Sequence, residues 1–121
     1  MEGHKNKVSL GQTGEDAAVR YLKKKGYKIV GRGFRLLRGE IDILAYDGAT
    51  LVFAEVKTRT SQAFGCPEES VTPAKQAQIR KIAQGYLAKN RLENAPCRFD
   101  VLSVMLGNDR QVVIRHFENA F

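Results

Sequence analysis

The sequence predicts an α/β domain with elements in the order αβββαββ, and three observations carry that expectation. Two apolar runs rich in β-branched and aromatic residues, Ile41–Ala45 and Leu51–Lys57, flank the turn dipeptide Asp47-Gly48. Segments with helical periodicity and recognisable caps precede and follow that pair. A length of 121 residues with 43% hydrophobic content suffices for one core without disulfide or metal staples.

Residues 1–10 are polar and basic (His4, Lys5, Lys7) and are expected to form a flexible arm, with a single domain over 11–121. A first helix is expected from Thr13, with Thr13 as cap and Asp16 three residues on, ending at Gly26 after Lys23-Lys24-Lys25. Tyr27 to Arg35 reads as a strand interrupted by Gly31 and Gly33. A hairpin follows over Glu40 to Lys57, because Asp47 and Gly48 both tolerate positive φ. If those two residues form the loop, Tyr46 faces Ala49, Asp42 faces Phe53 and Glu40 faces Glu55. Thr58 to Val71 is polar, contains Gly65 and Pro67, and reads as a loop. Thr72-Pro73 opens a second helix that runs to Lys89 and buries Ile79, Ile82, Ala83, Tyr86 and Leu87. Two strands, Arg98–Leu106 and Gln111–Phe117, close the chain around a Gly107-Asn108-Asp109 turn.

The 20 Lys and Arg residues against 13 Asp and Glu give a net charge of +7, which favours a polyanionic partner, most simply nucleic acid. Cys66 and Cys97 have no CxxC spacing and lie far in sequence from His4 and His116, which argues against structural zinc and for reduced thiols. No run has the length of a membrane span and the N-terminus lacks a signal-peptide core, so a cytoplasmic protein is expected.

Asp42, Glu55 and Lys57 are charges inside apolar strands. Desolvating a charge is costly, so each needs a partner, a metal or a wet cleft. Strand alternation in the expected register puts all three on one face, with the two carboxylates close enough to grip one divalent cation. A structural ion-pair network accounts for the same residues. Glu15 shares a helical stripe with Ala18, Val19 and Leu22 and so points at the sheet, although a first-turn glutamate is also favoured by the helix dipole. Lys57 suits a role in orienting water or stabilising phosphate, or simply neutralises Glu55. Arg32, Arg35 and Arg38, spaced by three, can track a nucleic-acid backbone, and Gln76 and Arg80 sit near the start of the second helix where a phosphate could be touched. An ordinary solvated basic face explains the three arginines equally well, and residues placed like Gln76 and Arg80 are more often just the polar ends of an amphipathic helix. Asp100 reads as the ion-pair partner of an arginine, His116 as a strand-face residue and Tyr86 as core.

The ordered set resembles the PD-(D/E)xK nuclease superfamily, whose fold is restriction-endonuclease-like, and the helix-first order looks most like Holliday-junction resolvases. Asp42, Glu55-Val56-Lys57 and Glu15 match its motif positions one by one. The whole chain also resembles the YraN-like family of small uncharacterised bacterial proteins. That resemblance runs from Gly14-Glu15 through Arg38-Gly39-Glu40-Ile41-Asp42 and Phe53-Ala54-Glu55-Val56-Lys57-Thr58-Arg59 to Arg98-Phe99-Asp100-Val101 and Asn119-Ala120-Phe121. Gly33-Phe34-Arg35 stands where that family usually has an Asn-aromatic-Arg step, and Ile41 replaces the superfamily's proline. The resemblance implies a mixed central sheet flanked by helices and a Mg²⁺- or Mn²⁺-dependent endonuclease acting on DNA, branched or damaged. Asp42, Glu55 and the Val56 main-chain carbonyl would hold the ion, Glu15 would bind it through water, and Arg59 would join the nucleic-acid contacts. It also implies a homodimer. The alternatives are a non-catalytic nucleic-acid-binding protein, or a nuclease subunit whose site a partner completes.

Overall fold

Two helices and five strands follow one another in the expected order in the computed structural model, which describes residues 10–60, 71–107 and 111–121. The basic arm as far as residue 9, residues 61–70 of the expected loop and Asn108-Asp109 of the last turn lie outside the described residues. Helix α1 spans Leu10–Lys24 and helix α2 spans Pro73–Lys89. The strands are β1 (Lys28–Leu36), β2 (Gly39–Asp47), β3 (Thr50–Thr60), β4 (Cys97–Leu106) and β5 (Val112–Phe117). They form one sheet in sequence order, with every neighbouring pair antiparallel except β3 and β4. That parallel step needs a crossover, which α2 supplies. Among the described residues no helix is long and apolar enough to cross a membrane.

Helix α1 begins at Leu10, so Thr13 lies inside it rather than capping it. Neither proline nor a competing cap separates Leu10 from Thr13, and nothing local stops the helix from extending backward. Its end is as expected. Gly26 takes a φ of +97°, and the Gly26 and Tyr27 N–H groups donate to the carbonyls of Lys23 and Leu22. This paired closure satisfies carbonyls that the last helical turn leaves open. Helix α2 starts with Thr72 accepting from the Lys75 N–H at 3.2 Å, with Pro73 as its first residue.

The sheet is apolar on both faces because each carries a helix. Ile43, Ala45, Val52, Ala54, Leu102 and Val104 pack under α1 with Ala17, Ala18, Val19 and Leu22. Leu44, Leu51, Phe53 and Val101 pack under α2 with Ile79, Ile82 and Ala83, while Tyr86 and Leu87 are only partly buried there. Strand alternation explains the partition of β3, whose successive residues from Leu51 to Ala54 go to opposite cores.

The β2–β3 turn differs from expectation. Asp47 pairs with Thr50 and Leu44 with Phe53, so Gly48-Ala49 forms the two-residue loop and Asp42 does not face Phe53. Glu40 pairs with Arg35 of β1, not with Glu55. Only Gly48 has a positive φ (+60°), which fits the first position of a type II′ turn. Asp47 stays at the strand end because its carboxylate accepts from Arg98 Nη1 at 2.9 Å. The shift is by two residues, so within the paired stretch from Ile43 to Asp47 no side chain changes face. The β1–β2 connection is tighter than the sequence suggests. Leu36 pairs with Gly39 around Leu37-Arg38, and both turn residues are left-handed, with φ of 53° and 63°. Neither residue is a turn former, which is why it escapes a sequence reading.

Asp100 is fully buried, and its partners are those its position in an apolar strand demands. Arg98 donates to both of its oxygens, His116 Nε2 lies 2.7 Å from Oδ2, and the Asn119 N–H donates to Oδ1 at 3.0 Å. Burial pushes the Asp100 carboxyl up, but the bonds from His116, Arg98 and Asn119 outweigh it and hold the group below its ordinary value. Lys25 Nζ, which can only donate, lies 3.2 Å from His116 Nδ1, and Arg98 also donates to the Tyr27 hydroxyl at 2.5 Å.

Arg98→Ala leaves the Asp100 carboxylate buried without its main partner and is expected to cost about 3–5 kcal/mol in urea denaturation at pH 7. Because the Asp100 pKa is depressed, that contribution is present above the unfolded value near pH 4 and fades as acid titrates the folded group. At the β1–β2 tip, replacing Leu37-Arg38 with Asn-Gly relieves two left-handed non-glycine residues. Chemical denaturation should show a gain of about 1–2 kcal/mol.

Candidate functional site

The pairing of β2 with β3 stops at Ile43 opposite Ala54. Past that point the Val56 N–H donates not to a main-chain carbonyl but to Asp42 Oδ2, at 2.8 Å. The same place marks a reversal of faces. Ile43 belongs to the core under α1, yet Ile41, its next-but-one neighbour, belongs to the core under α2. Their partners on β1 behave alike. Arg32, opposite Ile43, reaches Glu15 on α1, whereas Phe34, opposite Ile41, packs under α2. Both strands turn over at Gly33 and Asp42, and Gly33 carries the left-handed φ of 63° that this needs. Asn shares that backbone tolerance, which accounts for the Gly-for-Asn difference from the YraN-like pattern without any polar role for position 33.

Helix α1 comes close enough to join the site because Gly14 has no side chain. A Cβ there would collide with the Thr58 Oγ1 of β3. The next residue, Glu15, is thereby set against the strand break. One carboxylate oxygen each from Glu15, Glu40 and Asp42 lies within 4.8 Å of the others. Arg32 clamps the helix side of this cluster, donating from Nε and Nη2 to Glu15 at 3.2 and 3.1 Å and from Nη2 to Asp16 at 2.6 Å. Arg35, 84% exposed, reaches Glu40 at 3.3 Å. Glu55 is buried on β3, and two ammonium groups face one of its oxygens, Lys57 Nζ at 3.5 Å and Lys75 Nζ at 3.7 Å.

The crowding is registered by Asp42, whose carboxyl is pushed up to about 7. Burial is the main cause, the Glu55 charge adds to it, and Glu15 and Glu40 add less, while the Val56 N–H works in the opposite sense. A cation bound beside Asp42 would act against both causes by favouring the charged carboxylate.

Two clefts border the cluster and share Arg35 and Glu40. One of about 610 Å³ is lined by Gln12, Glu15, Arg32, Gly33, Arg35 and Glu40. The other, of about 350 Å³, continues past Arg35 and Glu40 to Arg38, Gly39, Lys75 and Gln78. The expected phosphate contacts divide accordingly. Arg35 and Arg38 line the groove, and Arg32 lines it while holding Glu15 and Asp16. Gln76 instead donates to the Val71 carbonyl at 3.0 Å. The Arg80 guanidinium lies over the Phe99 and Phe121 rings, 5.7 and 5.4 Å from their centroids. Arg59 has its Nε buried without a hydrogen-bond partner among the described residues.

Glu40, Lys75 and Gln78 are the site residues that sequence reasoning left out. For two of them a signal existed. Glu40 precedes Asp42 by one pleat, and Lys75 is a lysine in a helical first turn, where the dipole disfavours a cation unless an acid faces it.

The raised Asp42 pKa sets a testable stability profile for the metal-free protein. Between about pH 4 and pH 7 the folded state holds a proton that the unfolded state has released, so stability falls as pH rises through that window. Asp42→Asn keeps an acceptor for the Val56 N–H and removes the charge. Thermal melts in EDTA should show little change at pH 4 and, at pH 8, a gain on the order of 1–3 kcal/mol.

Residues 14–104, which include every acidic member of the site, match the model of the uncharacterised protein family UPF0102. A UPF0102 protein of Geotalea uraniireducens is 49% identical over 120 residues, covering 99% of this chain and 94% of its own length. Relatives from Geobacter metallireducens (51% over 113 residues, 93% of this chain and 92% of theirs) and Symbiobacterium thermophilum (46% over 112 residues, 93% and 95%) carry the same description. The clustered acids, the α1 approach and the two-helix mixed sheet are therefore features of a chain that belongs to UPF0102, the YraN-like family.

Proposed function

We propose that the protein is a metal-dependent phosphodiesterase that cuts DNA, with branched or damaged DNA as its substrate. The observation that supports this most is the parting of β2 and β3 at Asp42, where carboxylates of Glu15, Glu40 and Asp42 gather beside a groove lined by Glu40, Arg35, Arg38 and Lys75. The donors are all hard oxygens, the set that suits Mg²⁺ or Mn²⁺. In this reading Asp42, Glu55 and the Val56 carbonyl would hold the ion, with Glu15 acting through water and Glu40 completing the group within 4.8 Å of Asp42 and Glu15, to which Glu55 does not belong. A bound divalent ion would supply polarisation of the scissile phosphate and a more acidic water. Lys57 and Lys75, which pair with Glu55, would then be the cations available to the phosphate. Lys57, one pleat beyond Glu55, orients the attacking water. Arg35 and Arg38 hold the flanking phosphates by charge-assisted hydrogen bonds.

A second reading has its own observation. Arg32 already neutralises Glu15, and Lys57 and Lys75 already neutralise Glu55, so much of the site is balanced by the chain's own cations. This favours a nucleic-acid-binding protein without catalysis, or a subunit whose site a partner completes.

Cleavage of labelled branched, single-stranded and duplex DNA with Mg²⁺ or Mn²⁺ separates the two. A nuclease cuts only with metal, loses cutting in Glu55→Ala, and slows by about 10²–10⁴-fold in Lys57→Ala. Equal cutting by wild type and Glu55→Ala sinks the catalytic reading. Salt-steep binding without cleavage transfers support to the second.

A further inference from the structure

Beside the groove, across Gln78, a further hollow of about 500 Å³ is lined by Leu37, Ala74, Ala77, Gln78 and Lys81. Its walls are chiefly the methyl groups of α2 and the side chain of Leu37. At 61%, Leu37 is the most exposed large hydrophobic residue among those described. It is held outward by a turn that places two successive non-glycine residues in the left-handed region, where Asn-Gly would sit without strain. The hairpin below it is fixed on α2, since even a Cβ on Gly39 would meet Ile82 Cδ1 at 2.5 Å. Leu37 is thus an exposed apolar tip on a hairpin that packs closely against α2. Lys81 lines the hollow with it, and Arg35, Arg38 and Lys75 line the adjoining groove.

We propose that this hollow receives one unpaired nucleobase of a DNA strand whose phosphates lie along Arg35, Arg38 and Lys75, with Leu37 as the wedge that parts the base from its neighbour. The inference rests on the nucleic-acid reading above and narrows its substrate class. The chemistry is complementary on each side. The flat apolar face of a base meets Leu37, Ala74 and Ala77, and apolar side chains at a basic surface are known devices for separating stacked bases. The base edge meets Gln78, whose amide both donates and accepts and so tolerates any base. Gln78 also lines the phosphate groove, which ties the two compartments to one strand. Extruding a base from intact duplex is costly, so the preferred substrates are those in which the base is already unpaired, as at a bulge, flap or junction.

The test is binding in EDTA, with 2-aminopurine as the unpaired base of a bulged duplex and a fully paired duplex of equal length as reference. The bulged duplex should bind at least about tenfold more tightly, with a change in probe fluorescence on binding. Leu37→Ala removes the wedge and Ala77→Leu fills the hollow without adding charge. Both positions are exposed, and each variant should bring the two affinities to within about twofold while leaving the paired duplex unchanged. Equal wild-type affinities, or a preference that survives both variants, overturns the base pocket and leaves the nucleic-acid reading standing. Binding to neither duplex overturns the nucleic-acid reading and the pocket with it.

Discussion

The hydrogen bond from the Val56 N–H to Asp42 Oδ2 is the point from which the rest of the site is organised. In an uninterrupted hairpin that N–H would meet a main-chain carbonyl across the ladder. A side chain stands in for it here, so β2 is released from β3 without leaving a buried donor unsatisfied. The release lets β1 and β2 turn over together at Gly33 and Asp42 and carries their hairpin from the α1 side to the α2 side. Strand β3 does not follow. It stays paired with β4 from Leu51 opposite Cys97 to Thr60 opposite Leu106, which gives Glu55 and Lys57 a rigid mount. The divergence is thus built against a strand paired along its whole length with β4, and a catalytic or binding constellation needs such a rigid mount.

Much of the fold was legible because local chemistry and tertiary need agree. Gly26, Thr72 and Pro73 are strong punctuation, and all three act as their chemistry dictates. Asp100 announced a partner by being an acid in an apolar strand, and Arg98 is that partner. Asp42, Glu55 and Lys57 stand out in sequence by the same logic, but the acids that share one cluster are Glu15, Glu40 and Asp42, while Glu55 pairs with Lys57 and Lys75 and acts on Asp42 only through its charge. The β2–β3 register was less legible, because it depends on where Asp47 finds a cation. Arg98, far along the chain, draws it into the strand. The Leu37-Arg38 turn was invisible, since neither residue has turn propensity. Arg32 and Arg80 show a different limit. Both read as free basic residues, and which carboxylate or ring each meets is decided by packing between elements distant in sequence.

Asp42 and Asp100 are two acids of the same sheet whose protonation is tuned in opposite senses. One is raised by burial and by neighbouring charge, and the other is held down by an arginine, an imidazole and a backbone donor. The fold therefore contains one carboxylate that opposes it near neutrality and one that supports it. Drift under relaxed selection would treat them unequally. A lineage no longer selected for the acidic cluster would exchange Asp42 for Asn readily, because that keeps the acceptor for the Val56 N–H and removes the buried charge, whereas Asp100 would be retained for its pairing with Arg98 and His116. The order in which these two acids disappear from degenerate descendants would record which of them serves the scaffold and which serves the site.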